Sequence, residues 1–102
     1  MVTLIFRMRI RDGKEDEALA ALEKMCAAVA EKEPKTLAYV FHRLPDDANQ
    51  LVLYESYEDE EDLQAHIKTP HFADLRAATV EYFDTTNIEV TRIGQFAGFV
   101  RN

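Results

Sequence analysis

The chain has 102 residues, 47% hydrophobic and 30% charged, which is enough for one globular domain and too apolar for a disordered segment. Nineteen acidic against twelve basic residues give a formal net charge of −7, a balance that speaks against nucleic-acid or anionic-membrane partners. A single cysteine, Cys26, excludes an intrachain disulfide, and one Cys with three scattered His supplies no paired zinc motif, so no metal is expected.

No apolar run approaches the roughly 18 residues of a membrane-spanning helix. Arg7, Arg9 and Arg11 lie within and after the first apolar stretch, whereas a secretory signal would place its basic residues first. The expectation is one domain over residues 1–102, in the cytoplasm, with neither a membrane nor a nucleic-acid partner.

In chain order, Val2, Leu4, Phe6, Met8 and Ile10 alternate with Thr3, Ile5, Arg7 and Arg9, which predicts a strand over 2–10. Asp12-Gly13 breaks it, and Asp12 followed by Glu15 predicts a capping box. From Lys14 the period turns helical, with Leu19, Leu22, Met25, Cys26 and Val29 on one stripe, and Cys26 reads as core packing. Glu33-Pro34 ends that helix, because the residue before proline is driven out of the α region. Two β-like runs, Leu37–Leu44 and Gln50–Tyr57, follow, joined by a polar five-residue link over 45–49.

The acidic run Glu58–Asp62 suits the first turn of a short helix ending near Ile67. Thr69-Pro70 then predicts an N-cap with proline at the first helical position. Phe72, Leu75, Thr79 and Phe83 carry the next helix to about Phe83, and Asn87–Phe96 reads as the last strand. The order is β-α-β-β-α-β with a split second helix. It predicts an α+β, ferredoxin-like fold with a four-stranded antiparallel sheet and helices on one face.

Leu51-Val52-Leu53-Tyr54 has no polar side, and Leu37–Phe41 has little more. A one-sided antiparallel sheet should alternate apolar with polar. The second apolar face therefore calls for a cover, most simply another copy in a homodimer. The alternative cover is the chain's own tail, Phe96–Val100.

The stretch from Leu53 to Phe72 contains Tyr54-Glu55-Ser56-Tyr57, an acidic helix, then Ala65-His66 and Thr69-Pro70-His71-Phe72. It resembles the antibiotic biosynthesis monooxygenase family, in which an aromatic-rich strand end leads through an acidic helix carrying "AH" to "TPHF". The resemblance runs over nearly the whole chain and implies a dimeric α+β barrel with a pocket between sheet and helices. The activities it implies range over cofactor-free oxidation of aromatics, quinol oxidation, haem cleavage and isomerisation of a phosphorylated dione. Haem-degrading members rely on an Asn in the first strand, a Trp near the second helix and a later His. This chain has no Trp and no such Asn, and Arg76 stands about where that His would fall. The wording of Leu63–Phe72 is most similar to the quinol-oxidising and dione-isomerising relatives.

His66 follows Leu63 by three residues, which turns it towards the sheet, and imidazole is suited to general base chemistry near neutral pH. Cofactor-free oxidation needs such a base to deprotonate a phenol or quinol for reaction with dioxygen. A buried structural histidine that locks the helix break is the competing reading. His71, in the first turn after Pro70, is a second catalytic candidate or a packing residue. Tyr39, Tyr54, Tyr57 and Phe72 supply either aromatic surface for a planar substrate or ordinary core and interface packing, and His42 faces either the pocket or the dimer seam. Arg7, with Arg9, would grip a phosphorylated carbonyl substrate in an isomerase, or else pair with the acidic excess. Glu55 reads as a salt-bridge partner. The expectation is a homodimeric, cofactor-independent, quinol-monooxygenase-like enzyme. The alternatives are an isomerase and a non-catalytic ligand-binding module.

Overall fold

The computed structural model describes residues 1–101. The elements are β1 (Val2–Ile10), α1 (Glu15–Lys32), β2 (Thr36–Leu44), β3 (Asp47–Tyr57), α2 (Glu60–Ile67), α3 (Pro70–Tyr82) and β4 (Phe83–Ile93). The four strands make one antiparallel sheet in the order β2-β3-β1-β4. This is the ferredoxin-like α+β arrangement expected from the element order.

Alternation in β1 places Phe6, Met8 and Ile10 on the face covered by helices. There Met8 and Ile10 join Leu51, Phe83 and α1's Ala18 and Leu22 in the buried core. Phe41, Leu75 and Tyr82 pack against its edge. Burying such side chains stabilises the fold by roughly 1.5–3 kcal/mol each for the larger ones. The α1 stripe behaves as its spacing predicts, with Leu22, Met25 and Val29 buried, while Cys26 is only half-buried.

Local chemistry sets the breaks. Gly13 turns the chain into α1 with a positive φ of 84°, a conformation that favours glycine. The Asp12 cap does not form. Lys14 takes the N-cap position without a side-chain bond, and the Glu15 carboxylate instead accepts from the Gly13 N–H at 3.2 Å. Asp59 caps α2 by accepting from the Asp62 N–H at 2.9 Å. The Thr69 hydroxyl donates to the His66 carbonyl at 2.8 Å and accepts from the Phe72 N–H at 3.1 Å. One side chain thus closes α2 and opens α3.

Two strand boundaries differ from the sequence reading. β3 starts at Asp47, so the hairpin turn is only Pro45-Asp46, with a register irregularity beside Arg43 and Leu44. β4 spans Phe83–Ile93 rather than Asn87–Phe96. The polar run that hid its start is an irregularity inside the strand. There the Asp84 carboxylate accepts from the Thr86 N–H at 2.9 Å and the Thr86 hydroxyl at 2.6 Å, and the β1–β4 register shifts between Arg7 and Arg9. Arg11 secures the helix-to-strand corner by donating to the carbonyls of Phe83 at 2.8 Å and Val80 at 3.2 Å.

The far face of the sheet carries Ile5, Val40, Tyr54 and Ile93 near one end, with Val52, Arg7, Arg9 and Glu89 towards the other. Val40 is 47% exposed, Tyr54 38% and Ile93 40%. The tail does not supply the cover, since Phe96, Phe99 and Val100 are themselves almost fully exposed. Among the described residues no helix is long and apolar enough to cross a membrane.

Candidate functional site

Where α1 ends, Glu33 leaves the helical conformation (φ −125°, ψ 72°), as the residue before Pro34 must. Its carboxylate lies between two imidazoles. Oε1 accepts from His66 Nδ1 at 2.8 Å, and Oε2 accepts from His71 Nε2. The Thr36 hydroxyl donates to Oε1 at 2.8 Å. The break at Lys68-Thr69 makes this possible, since it lets histidines in the last turn of α2 and the first turn of α3 converge on one acceptor.

A carboxylate only accepts, so His66 carries its proton on Nδ1 and His71 carries one on Nε2. In the neutral His66 ring, Nε2 is then a lone-pair acceptor with no hydrogen-bond partner among the described residues. Burial would push the Glu33 carboxyl up. The hydrogen bonds from His71, Thr36 and His66 outweigh it, and the group sits below its ordinary range, so it is an anion at neutral pH.

His66 is 2% exposed and ringed by aromatic groups, its centroid 5.3 Å from Tyr39, 5.4 Å from Tyr57 and 5.3 Å from Phe72. It borders a cavity of about 200 Å³ between the sheet and helices α2 and α3. Phe6, Met8, Phe41, Leu53 and Leu75 make the walls mainly apolar, and Glu55 joins them from the sheet. Arg76 stands at the rim, 5.0 Å from the Phe72 ring centroid. This volume lies below the roughly 300–1,000 Å³ of pockets for drug-sized ligands.

Glu55 is 6% exposed, and the expected salt bridge is absent among the described residues; its hydrogen bond comes from the Tyr57 hydroxyl at 2.7 Å. Burial pushes its carboxyl up, opposed by that bond. Burial also raises the Tyr39 and Tyr57 phenols, so both stay protonated at neutral pH.

Of the residues singled out in the sequence, His66, Tyr39 and Phe72 line the cavity. His71 is tied to them through Glu33 but borders the separate groove between α1 and α3. Tyr54, His42 and Arg7 lie on the far face of the sheet, away from both. His42 bonds the Val52 carbonyl at 3.2 Å in an exposed position. Arg9 pairs with Asp47 at 2.6 Å, so neither arginine reaches the cavity. Among the described residues no group of three His, Cys, Asp or Glu is arranged to hold a metal ion. Glu33 is the residue that sequence reasoning missed. It stands 33 and 38 positions from its two histidines, and its only local signal was the proline after it.

The four-stranded antiparallel sheet, its helices and the apolar pocket between them define a ferredoxin-like α+β domain. The model of the antibiotic biosynthesis monooxygenase family matches residues 1–78, and the chain belongs to that family. The matched span includes Glu33, Glu55, His66 and His71. Among solved structures, a Bacteroides thetaiotaomicron protein named for antibiotic biosynthesis monooxygenases aligns with a TM-score of 0.89 at 21% identity, covering 99% of this chain and 94% of its own. Rv0793 from Mycobacterium tuberculosis aligns at 0.82 and 26% identity, covering 95% and 96%. PA3566 from Pseudomonas aeruginosa aligns at 0.82 and 21% identity, covering 94% of each chain. No curated protein sequence matches the chain.

Proposed function

We propose that the chain is a homodimeric, cofactor-independent monooxygenase-like enzyme that oxidises a small aromatic or quinol substrate with dioxygen. The observation that carries this reading is His66, with Glu33 on Nδ1 and an unpartnered Nε2 at an apolar cavity. Breaking the substrate O–H bond leaves its electron pair on oxygen and sends the proton to Nε2. Glu33 then stabilises the imidazolium, and the desolvated phenolate or quinolate is electron-rich enough to react with dioxygen. From a hydroquinone, two electrons and two protons leave; the products are the quinone and hydrogen peroxide. Where an oxygen atom enters a ring methylene to make a carbonyl, the second oxygen leaves as water.

Tyr39 and Phe72 supply flat apolar surface for the ring. The exposed Val40, Tyr54 and Ile93 support a second copy as the cover of the far sheet face. The arginines that an isomerase would use for phosphate lie on that far face and lend the isomerase no support. The test is oxygen uptake by the purified protein with a panel of quinols, compared with His66→Gln. The expected result is uptake by the native protein and a fall of about 10²-fold in the variant, with unchanged circular dichroism. A native protein inert across the panel, or an undiminished rate in His66→Gln, overturns the reading.

A further inference from the structure

Glu55 takes no part in the proton transfer assigned to His66, yet its side chain lines the same cavity. β3 places it on the helix-covered face, paired with Leu4 of β1 and Tyr39 of β2. No Lys or Arg pairs with it among the described residues. Burial and Glu33, from the end of α1, favour its uncharged form, while the hydrogen bond from Tyr57 and the charge that His66 of α2 can carry oppose them and are outweighed. Arg76 of α3, at the rim, pairs with the Phe72 ring instead. An anion there would sit in an apolar wall with a second anion, Glu33, nearby, so the fold favours the uncharged acid. Because Oε1 already accepts from Tyr57, the acid's own proton belongs on Oε2.

We propose that Glu55 is a neutral carboxylic acid that donates a hydrogen bond from Oε2 into the cavity, to a second oxygen of the substrate that His66 deprotonates. This rests on His66 as the base and narrows the substrate class. The substrate is a planar molecule with one acidic O–H and a second oxygen able to accept, either a hydroquinone or a phenol conjugated to a carbonyl. When the O–H proton moves to His66, Glu55 keeps its own. In the conjugated case the new charge spreads onto the oxygen that Glu55 holds, which is oxyanion stabilisation by a preorganised donor. In a hydroquinone the same oxygen becomes a quinone carbonyl. An ionised Glu55 would repel the carbonyl oxygen on which the conjugated phenolate's charge collects.

The protonation state is read first without ligand, as an infrared carbonyl band of a protonated acid at neutral pH that is lost in Glu55→Gln. Binding of 4-hydroxyacetophenone and of phenol is then measured by calorimetry for the native protein, Glu55→Gln and Glu55→Leu. Gln keeps a neutral donor and should hold 4-hydroxyacetophenone within about threefold of native, whereas Leu should lose roughly tenfold. Phenol, lacking the second oxygen, should bind all three alike. A carboxylate band in the native protein, equal losses in Gln and Leu, or no binding of 4-hydroxyacetophenone overturns the proposal. None of these readouts needs turnover, so an inert oxygen assay would sink the oxidation reading and leave the role of Glu55 standing or falling by itself.

Discussion

The two faces of β3 carry similar residues and meet different fates. Leu53, Glu55 and Tyr57 point under the helices and are buried, while Val52 and Tyr54 point the other way and stay partly in solvent. Tyr57 is fully enclosed and gives its hydroxyl to Glu55; Tyr54, three positions earlier, is 38% exposed. The same contrast separates the histidines. His66 is held by an anion inside the fold, and His42 makes one exposed bond to a backbone carbonyl. Residue type does not distinguish these pairs. Enclosure does, because low polarity strengthens charge interactions and packing holds side chains in place wherever a group is shut off from water.

The hardest blow to that contrast is removal of Glu33. Glu33→Ala strips a shared acceptor from one buried and one partly buried imidazole and should destabilise the fold by on the order of 3 kcal/mol in urea titrations. The pH dependence has a definite sign. The Glu33 carboxyl lies below its ordinary range, so its contribution is fully present above about pH 4.3 and is lost as pH falls through the lower folded-state value. Acid should therefore destabilise the native protein more steeply than Glu33→Gln. Equal acid slopes would show that the carboxylate is not the keystone of the cluster.

On the other face, charge should act on assembly rather than chemistry. Val40→Lys combined with Tyr54→Lys is expected to turn a dimer into a monomer in analytical ultracentrifugation, with its thermal unfolding still cooperative. A native chain that sediments as a monomer removes the homodimer altogether. The smallest effects should come from His42→Ala and Arg7→Ala, which lie beyond the cavity. Each should leave ligand binding within about twofold of native, since surface changes away from buried contacts are usually worth no more than about 0.5 kcal/mol. A large loss in either would mean that the far face reaches the site.

Much of this architecture was legible because it is written in local periodicity and in caps. The β1 alternation, the α1 stripe, the acidic run that opens α2 and Thr69-Pro70 each act within a few residues of their own position. The missed boundary of β4 has an equally local cause, since Asp84 satisfies Thr86 and Asn87 and gives the strand the look of a loop. His66 was readable from its helical spacing and from the family motif around it. Glu33 was not, because its meaning depends on two side chains brought to it from the far end of the chain. Glu55 was misread for the same reason, since the absence of a cation and the presence of Tyr57 are facts of packing.

What the amino-acid order determined alone was the succession of elements, the apolar character of both sheet faces and the turns between them, all products of short-range sterics and hydrophobic period. Which carboxylate meets which imidazole, and which tyrosine is walled off from water, was decided by tertiary structure alone. Those properties arise from contacts between residues tens of positions apart, and from the low-dielectric space that only the closed fold creates.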